Sequence, residues 1–333
     1  RIGIIGMGIM GKMYARLIKE NPESELIALC EIDAERKSDL VKIYQVPVYE
    51  HDAEMIDQEN LDAILITTPD HLHFKPAILA AKKNLHMMIE KPLALNLDDA
   101  IQIRNVTDES RSVAMMAHVF RWYAPFVMTK SALSTQEFGQ PLAMNMRIDD
   151  RIYVPTKMLR WADQTTPGWF LLSHAVDLAN WFSESTPVNV YAYGVNKKLT
   201  SMGINTYDII HFDVAYQNGF MASLEACWIL PNSLPSMSGS WCTIISSEGG
   251  HYINVQDQMI QRVGATFENP ATIRMEMHGR LVGLQSFMLQ SFIDSILRGK
   301  EVVSKISDGV NAVSVLESAH LSLSSGKKVE INL

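Results

Sequence analysis

The 333-residue chain has few cysteines, no basic stripe and no long apolar run. Its three cysteines, Cys30, Cys227 and Cys242, are odd in number and lack metal-ligand spacing, which favours a reducing cytoplasm over a secreted, disulfide-rich class. The net charge of -8 argues against nucleic acid as a partner. Since no apolar run approaches the roughly 20 residues of a membrane span, we expect no membrane partner either.

The first 20 residues carry the clearest motif of the chain. An apolar run, residues 2–5, predicts a strand, and a helix-favouring stretch follows from residue 12 to residue 20. Between them, Gly6 permits a tight turn, Gly8 lets the backbone approach a pyrophosphate, and Gly11 lets the helix pack closely on the strand. A pyrophosphate would lie at the helix N-terminus, where free N–H groups favour negative charge. The expected cofactor contacts in this turn are Gly6, Met7, Gly8, Ile9, Met10 and Gly11.

A second apolar stretch, residues 26–32, ends in acids about 20 residues beyond the last glycine. Glu31 and Asp33, with Ile32 between them, are therefore expected at the adenosine ribose of a dinucleotide. Carboxylates there would repel a 2′-phosphate, so the sequence favours NAD over NADP. Arg36 partly offsets this preference, because a nearby arginine is what accommodates the phosphate of NADP.

Polar residues follow two further buried strands, predicted at residues 63–66 and 86–89. The carboxyl ends of parallel strands are where ligands bind in doubly wound sheets, which strand–helix alternation over residues 1–117 predicts here. His71 and His73 are metal ligands by type, but no HExxH or CxxC spacing accompanies them, so no metal site is predicted. The further expected cofactor contacts are Thr67, Thr68, Pro69, His71, His73, Glu90 and Lys91.

The pattern changes after residue 118 to strands with one inserted helix, residues 169–182. Gln217-Asn218-Gly219 is a hairpin-type turn between two of these strands. We therefore predict an α/β protein with two domains. A dinucleotide-binding Rossmann domain (residues 1–118) precedes an α+β domain (residues 119–333) on a mainly antiparallel open sheet, whose last helices can pack back on the first domain.

These landmarks resemble the Gfo/Idh/MocA oxidoreductases, which include glucose–fructose oxidoreductase and inositol dehydrogenases. The matching runs are the glycine turn, Thr68-Pro69-Asp70-His71-Leu72-His73, Glu90-Lys91-Pro92, His174 with Asp177, and the closing segment 308–329. The resemblance implies a Rossmann domain and a C-terminal α/β domain whose open sheet often forms the oligomer contact, hence a homodimer or homotetramer. It implies a sugar or polyol substrate between the domains, with Lys91 as catalytic lysine and His174 as catalytic histidine.

The chain departs from the family pattern just before His174. The family commonly has Asp-x-Gly-x-His-x-x-Asp, whereas Phe170 and Leu172 stand here at the first aspartate and the glycine. A carboxylate that often contacts the substrate hydroxyl is therefore absent. The run Arg121-Trp122-Tyr123-Ala124-Pro125 is likewise a loose match to the family's arginine–aromatic–proline run.

Oxidation of a secondary alcohol removes a hydride from carbon and a proton from oxygen. Lys91 is expected to stabilise the developing alkoxide, and His174 is expected to take the proton. Asp177, three residues further along the same helical face, would orient the imidazole or hold the substrate. The remaining polar and aromatic residues expected near the substrate are Arg121, Trp122, Tyr153, Arg160, Trp161 and Trp169, although tryptophans more often lie in cores.

The sequence thus predicts an NAD(P)-dependent dehydrogenase of a sugar, inositol or sugar derivative. One alternative is a redox-neutral reaction, in which transient oxidation acidifies a neighbouring C–H and permits elimination, epimerisation or glycoside cleavage. A second alternative is a non-catalytic nucleotide-binding sensor, which the loss of the acid at Phe170 suggests and the retention of Lys91 and His174 opposes.

Overall fold

The structure, a computed structural model, describes residues 1–332, and the chain divides into two compact units. The first unit comprises residues 1–119 and 274–310. The second comprises residues 120–273 and the chain from Asn311 onward. The chain first passes from one unit to the other between Val119 and Phe120, one residue beyond the predicted boundary.

The first unit contains a six-stranded sheet in the order β3-β2-β1-β4-β5-β6, with every strand pair parallel. The doubly wound sheet predicted from the sequence is therefore confirmed. Its strands are β1 (Ile2–Ile5), β2 (Leu26–Cys30), β3 (Val48–Tyr49), β4 (Ala63–Ile66), β5 (His86–Ile89) and β6 (Ala114–Met116). Its first helices are α1 (Ile9–Glu20), α2 (Ala34–Tyr44), α3 (Asp52–Gln58), α4 (Phe74–Lys82) and α5 (Leu97–Glu109).

The register of the central strands determines which residues share one edge of this sheet. Ile5 at the end of β1 pairs with Ile66 of β4, and Ile66 pairs with Ile89 of β5. The strands are apolar throughout and buried on both faces, as in sheets covered by helices on each side. The residues that follow these three strands therefore emerge level with one another at the carboxyl edge.

The second unit contains a seven-stranded sheet in the order β12-β11-β7-β10-β9-β8-β17. Only β7 and β10 pair in parallel, so the predicted, mainly antiparallel sheet is confirmed. The elements from residue 124 to residue 254 are α6 (Ala124–Ser134), β7 (Pro141–Arg151), α7 (Ser173–Ser183), β8 (Pro187–Val195), α8 (Lys198–Ser201), β9 (Ile209–Tyr216), β10 (Met221–Leu230), β11 (Ser238–Ser246) and β12 (Gly249–Asn254).

Short hairpins and two long helices complete the chain. They are β13 (Arg262–Val263), β14 (Phe267–Glu268), β15 (Arg274–Met277), β16 (Arg280–Gly283), α9 (Leu284–Arg298), α10 (Ile306–Ser325) and β17 (Val329–Glu330). By residue range, α9 belongs to the first unit, whereas α10 begins in the first unit and continues in the second.

Several local features of the second unit differ from the sequence prediction. The helix predicted at residues 169–182 begins as a π-helical turn, Gly168–Leu172, and becomes α-helical only at Ser173. Strand β12 was not predicted, because it opens with Gly249-Gly250, a pair that disfavours a strand. The hairpin turn at residues 217–219 is confirmed, with Gly219 at φ +87° between antiparallel β9 and β10.

Candidate active site

The three glycines after β1 differ in what a side chain would meet. A Cβ added at Gly6, whose φ is +92°, would lie 2.8 Å from the Thr68 amide nitrogen. A Cβ at Gly11 would lie only 2.1 Å from the Gly6 carbonyl oxygen, so α1 packs against the turn too closely for any other residue. At Gly8, the first residue before α1, an added Cβ would meet no atom within 4 Å among the residues described. Backbone therefore borders open space at the N-terminus of α1, which fits a pyrophosphate.

The carboxylate of Glu31 is hydrogen-bonded to the backbone of this turn. It is buried and accepts hydrogen bonds from the backbone N–H of Met7 at 3.2 Å and of Asp33 at 3.0 Å. Asp33 caps α2, and the guanidinium of Arg36 lies 3.2 Å from Asp33 and 3.7 Å from Glu31. Ile32 between the two acids is 77% exposed. The predicted ribose acids thus lie at the end of β2 with one arginine beside both of them.

The segment after β4 is fixed by two side chains. The Thr67 hydroxyl donates to the Gly6 carbonyl oxygen at 2.6 Å, which links this segment to the glycine turn. The His73 ring is buried, with Nδ1 2.7 Å from the Pro92 carbonyl oxygen and Nε2 3.0 Å from the Thr68 carbonyl oxygen. His71 is exposed. His73 therefore contacts the backbone of two strand ends, and a direct contact of His71 or His73 with cofactor stays a prediction.

Glu90 and Lys91 follow β5 at the same edge. The Glu90 carboxylate accepts from the Tyr14 hydroxyl of α1 at 3.0 Å and from the Lys91 backbone N–H at 3.3 Å. Burial raises the pKa of the Glu90 carboxyl group, and burial also raises the pKa of the Tyr14 phenol. The Lys91 side chain is half-buried. Tyr14 was missed in the sequence, where only its position three residues after Gly11 pointed toward the site.

In the second unit, Arg121 and Asp177 form a buried ion pair. The guanidinium donates from Nε to Oδ2 at 3.0 Å and from a terminal nitrogen to Oδ1 at 2.7 Å, and the residues are 6% and 1% exposed. The guanidinium also lies 5.5 Å from the centroid of the Trp181 ring. The two predicted substrate contacts are thus partners of each other, and contact of either with substrate stays a prediction.

His174 lies in the first turn of α7 and is half-buried. Its imidazole packs on the Phe120 ring, with centroids 4.8 Å apart. One turn earlier, the Phe170 ring lies 6.1 Å from Trp161 and 6.3 Å from Trp228, distances typical of aromatic pairs. The position at which the family has an acid is therefore part of an aromatic cluster.

The remaining predicted residues have different surroundings. Tyr153 is exposed, and its backbone N–H donates to Asn232 Oδ1 at 3.2 Å. Arg160 is also exposed, whereas Trp122 and Trp161 are half-buried. Trp169 is buried and stacks on His320 with centroids 4.9 Å apart, the core environment in which tryptophans more often lie, and its contact with substrate stays a prediction.

His320 of α10 was not found from the sequence, where no motif marks it. Its Nδ1–H donates to the Leu316 carbonyl oxygen at 2.6 Å, and its Nε2 accepts from the Thr166 hydroxyl at 2.7 Å. Burial lowers the pKa of the imidazole to about 4, so the ring is neutral at neutral pH. Because Thr166 also accepts from the Trp169 backbone N–H, His320 supports the π-helical turn that leads into α7.

Within residues 1–332, no group of three or more His, Cys, Asp or Glu residues is arranged to hold a metal ion. None of the helices described is both long and apolar enough to cross a membrane.

The fold and the glycine turn define a dinucleotide-binding protein of the Rossmann class. Residues 1–118 match the family model described as an oxidoreductase family with an NAD-binding Rossmann fold, and residues 130–331 match the C-terminal alpha/beta domain of the same family. The chain therefore belongs to the Gfo/Idh/MocA oxidoreductase family, and the predicted NAD-binding domain is confirmed.

Individual relatives are distant. The chain is 24% identical over 234 residues to inositol 2-dehydrogenase from Rubrobacter xylanophilus, an alignment that covers 67% of this chain and 63% of that protein. The chain spans about three fifths of the length of the curated relatives it matches first.

Solved structures show the same fold over the whole chain. A myo-inositol 2-dehydrogenase from Lactobacillus plantarum matches at a TM-score of 0.84 with 20% identity, covering 100% of this chain and 99% of that one. A scyllo-inositol dehydrogenase from Lactobacillus casei, with bound NAD(H) and scyllo-inositol, matches at 0.81 with 17% identity over 99% and 98% of the two chains.

Proposed function

We propose that this protein is an NAD-dependent dehydrogenase that oxidises a secondary alcohol of a sugar, an inositol or a related polyol. Its relatives named above are inositol dehydrogenases, which supports this substrate class. The proposal rests mainly on one observation, the placement of Lys91 at the same sheet edge as the glycine turn.

That placement follows from the strand register. Gly6, Thr67 and Glu90 each come directly after one of the three paired residues Ile5, Ile66 and Ile89. Strands lie about 4.8 Å apart, so the segment that carries Lys91 begins about 10 Å from the glycine turn along the edge. A dinucleotide on the N-terminus of α1 can extend toward Lys91 over such a distance. A bound nicotinamide ring supplies the hydride acceptor.

The protein's own side chains supply the remaining steps. The Lys91 ammonium group donates a hydrogen bond to the substrate hydroxyl and stabilises negative charge on its oxygen. The Glu90 carboxylate accepts hydrogen bonds from the Lys91 backbone N–H and from the Tyr14 hydroxyl of α1, and these two bonds fix the backbone of Lys91. His174 takes the hydroxyl proton, the role that histidine most often has at neutral pH. Because Phe170 stands where the family pattern commonly has an acid, these two side chains act without that carboxylate.

NAD is the proposed dinucleotide, with NADP the weaker ligand. Glu31 and Asp33 place two carboxylates at the end of β2, and Arg36 is already paired with both. A 2′-phosphate would meet this negative charge and would have to take Arg36 from its partners. Calorimetric titration with NAD and NADP in the same buffer compares the two affinities.

The activity test is a panel of inositols, sugars and sugar acids with NAD, read at the absorbance of NADH. We expect oxidation of at least one compound, and Lys91→Ala should lower kcat by about 10² or more, because it removes the group that stabilises the alkoxide. Lys82→Ala, an exposed lysine at the end of α4, is the matched control and should leave kcat unchanged. Equal turnover of Lys91→Ala and wild type would remove Lys91 from the mechanism.

The same panel separates the alternatives. Product formation without net NADH would favour a redox-neutral elimination, epimerisation or glycoside cleavage. Binding of NAD without any reaction across the panel would favour a nucleotide sensor.

We also propose self-association as a homodimer or homotetramer through the outer face of the seven-stranded sheet. One row across five strands of this face consists of Trp241, Arg147, Glu225, His211 and Tyr193. Tyr193 and Trp241 are exposed at the ends of this row, which favours cover by a second copy. Light scattering after gel filtration measures the assembly. The three unpaired cysteines support the cytoplasm as its compartment.

A further inference from the structure

A buried imidazole connects the segments that follow two neighbouring strands of the first unit. His73 is 1% exposed, and its two ring nitrogens face two backbone carbonyl oxygens. Nδ1 lies 2.7 Å from the oxygen of Pro92, the residue after Lys91, and Nε2 lies 3.0 Å from the oxygen of Thr68. The ring therefore contacts the backbone directly after Lys91.

The protonation of His73 decides which contact is a hydrogen bond. A carbonyl oxygen only accepts, and a neutral imidazole has one N–H to donate. Burial lowers the pKa of His73, and this effect outweighs the buried carboxylate of Asp70 and the carbonyl oxygens of Pro92 and Thr68, which raise it; the charge of Lys91 adds a smaller lowering. The ring is therefore neutral at neutral pH and can satisfy only one of the two oxygens. The shorter contact, from Nδ1 to Pro92, is the better geometry for the single N–H.

We infer that His73 is a positioning residue whose Nδ1–H holds the Pro92 carbonyl and thereby fixes the backbone that presents Lys91. This inference rests on the proposed role of Lys91 as the group that binds the reacting hydroxyl. A displacement of that ammonium group by about 1 Å can cost up to about 10² in rate. His73 itself touches neither substrate nor cofactor in this role.

Two amide variants distinguish the contribution of Nδ1 from that of Nε2. His73→Asn places its amide nitrogen at the position of Nδ1, so it can still donate to Pro92. His73→Gln places its amide nitrogen at the position of Nε2, so it can donate only to Thr68. Both variants remove the aromatic ring and leave a buried amide, and each is therefore the control for the other.

We expect kcat of His73→Asn to exceed kcat of His73→Gln by about tenfold or more, with similar KM values for the polyol. Calorimetry in the absence of substrate should give the two variants similar affinities for NAD, because the difference lies in the placement of Lys91. Equal kcat values for the two variants at similar melting temperatures would overturn the inference, since a purely structural role does not distinguish the two nitrogens.

The tautomer can also be measured in the wild-type protein, which keeps the inference testable if either variant fails to fold. In ¹⁵N-histidine-labelled protein at neutral pH, we expect the His73 Nδ1 resonance in the range of a protonated nitrogen and Nε2 in the range of an unprotonated one. The opposite assignment would overturn the inference.

Lys91→Ala distinguishes a failure of this inference from a failure of the proposed function. Undiminished turnover of Lys91→Ala would overturn both. Loss of turnover in Lys91→Ala with indistinguishable Asn and Gln variants at position 73 would overturn only the role of His73.

Discussion

At the scale of single residues, Arg121 and Asp177 show how much depends on partners distant in sequence. Their side chains meet in a two-point ion pair although the residues are 56 positions apart. The pair is almost completely buried, so each of the two charges has an opposite charge beside it in an environment that excludes water. Asp177 lies in α7 one turn after His174, so the ion pair supports the helix that carries this imidazole.

Asp177→Ala should therefore destabilise the protein strongly. It leaves a guanidinium group buried without its carboxylate, and such a loss typically costs about 3–5 kcal/mol. Urea denaturation measures the free energy of unfolding, with the exposed Asp163→Ala as a control that should change it by less than about 0.5 kcal/mol. A loss below about 1 kcal/mol for Asp177→Ala would show that the ion pair contributes little.

The sequence identified both residues but not their relation. Arg121 and Asp177 each stand in a run that resembles a family motif, and this placed them near the substrate. Spacing along a chain reports which residues share a helix face, not which side chain from another element meets them. For the same reason Tyr14, whose partner Glu90 is 76 residues away, was missed.

At the scale of elements, the segment that precedes His174 depends on α10. The π-helical turn Gly168–Leu172 is supported by Thr166, whose hydroxyl bonds to His320. The Trp169 ring stacks on the same imidazole. A Cβ added at Gly168 would lie 2.9 Å from the His320 ring, so the turn and the imidazole are closely packed. The titratable imidazole of His320 therefore packs directly against the segment that leads into α7.

His320 predicts a loss of stability in acid. In the unfolded chain the imidazole takes up a proton near pH 6.5, whereas burial lowers its pKa in the folded protein to about 4. The contribution of the neutral ring is therefore complete above about pH 6.5 and is lost as the pH falls toward 4, by up to roughly 3 kcal/mol. Urea unfolding from pH 7 to pH 4 measures this slope.

His320→Asn is the comparison, since its amide nitrogen can still donate to the Leu316 carbonyl but does not titrate. We expect its free energy of unfolding to fall less steeply than that of the wild type between pH 6.5 and 4. Identical slopes for the two proteins would mean that His320 titrates in the folded state as it does in the unfolded chain.

The periodicity of apolar residues predicted most helices and strands of the chain, but it did not predict all of the segment around His174. A helix was correctly placed around His174, because apolar residues recur with helical spacing from Ala175 onward. The π-helical turn before it was not predicted. Its supports, Thr166 and a histidine 154 residues later, are set by tertiary packing.

At the scale of the whole molecule, the sequence predicted the parallel sheet in more detail than the second sheet. Uniformly apolar strands that alternate with helices predicted the parallel sheet, and the glycine turn predicted which edge of it binds the dinucleotide. The second sheet was predicted as mainly antiparallel, but its strand order was not, because β7 and β10 pair in parallel across a long connection. The sequence analysis allowed the last helices to pack back on the first domain, but it did not assign the hairpin of β15 and β16, which opens residues 274–310, to the first unit.

The central claim is that a dinucleotide lies against the backbone of Gly8. Gly8→Ala tests it most directly, since Gly8 has φ -72°, which any residue adopts, and an added Cβ would meet no described atom within 4 Å. Gly11→Ala is the contrasting variant and should lose stability, because its Cβ would clash with the Gly6 carbonyl.

The measurement is calorimetric titration of NAD into wild type and Gly8→Ala, after urea unfolding without NAD has compared their stabilities. We expect free energies of unfolding within about 1 kcal/mol of each other and an NAD dissociation constant raised about tenfold or more in Gly8→Ala. Equal dissociation constants for the two proteins, or no binding of NAD to the wild type, would contradict the account.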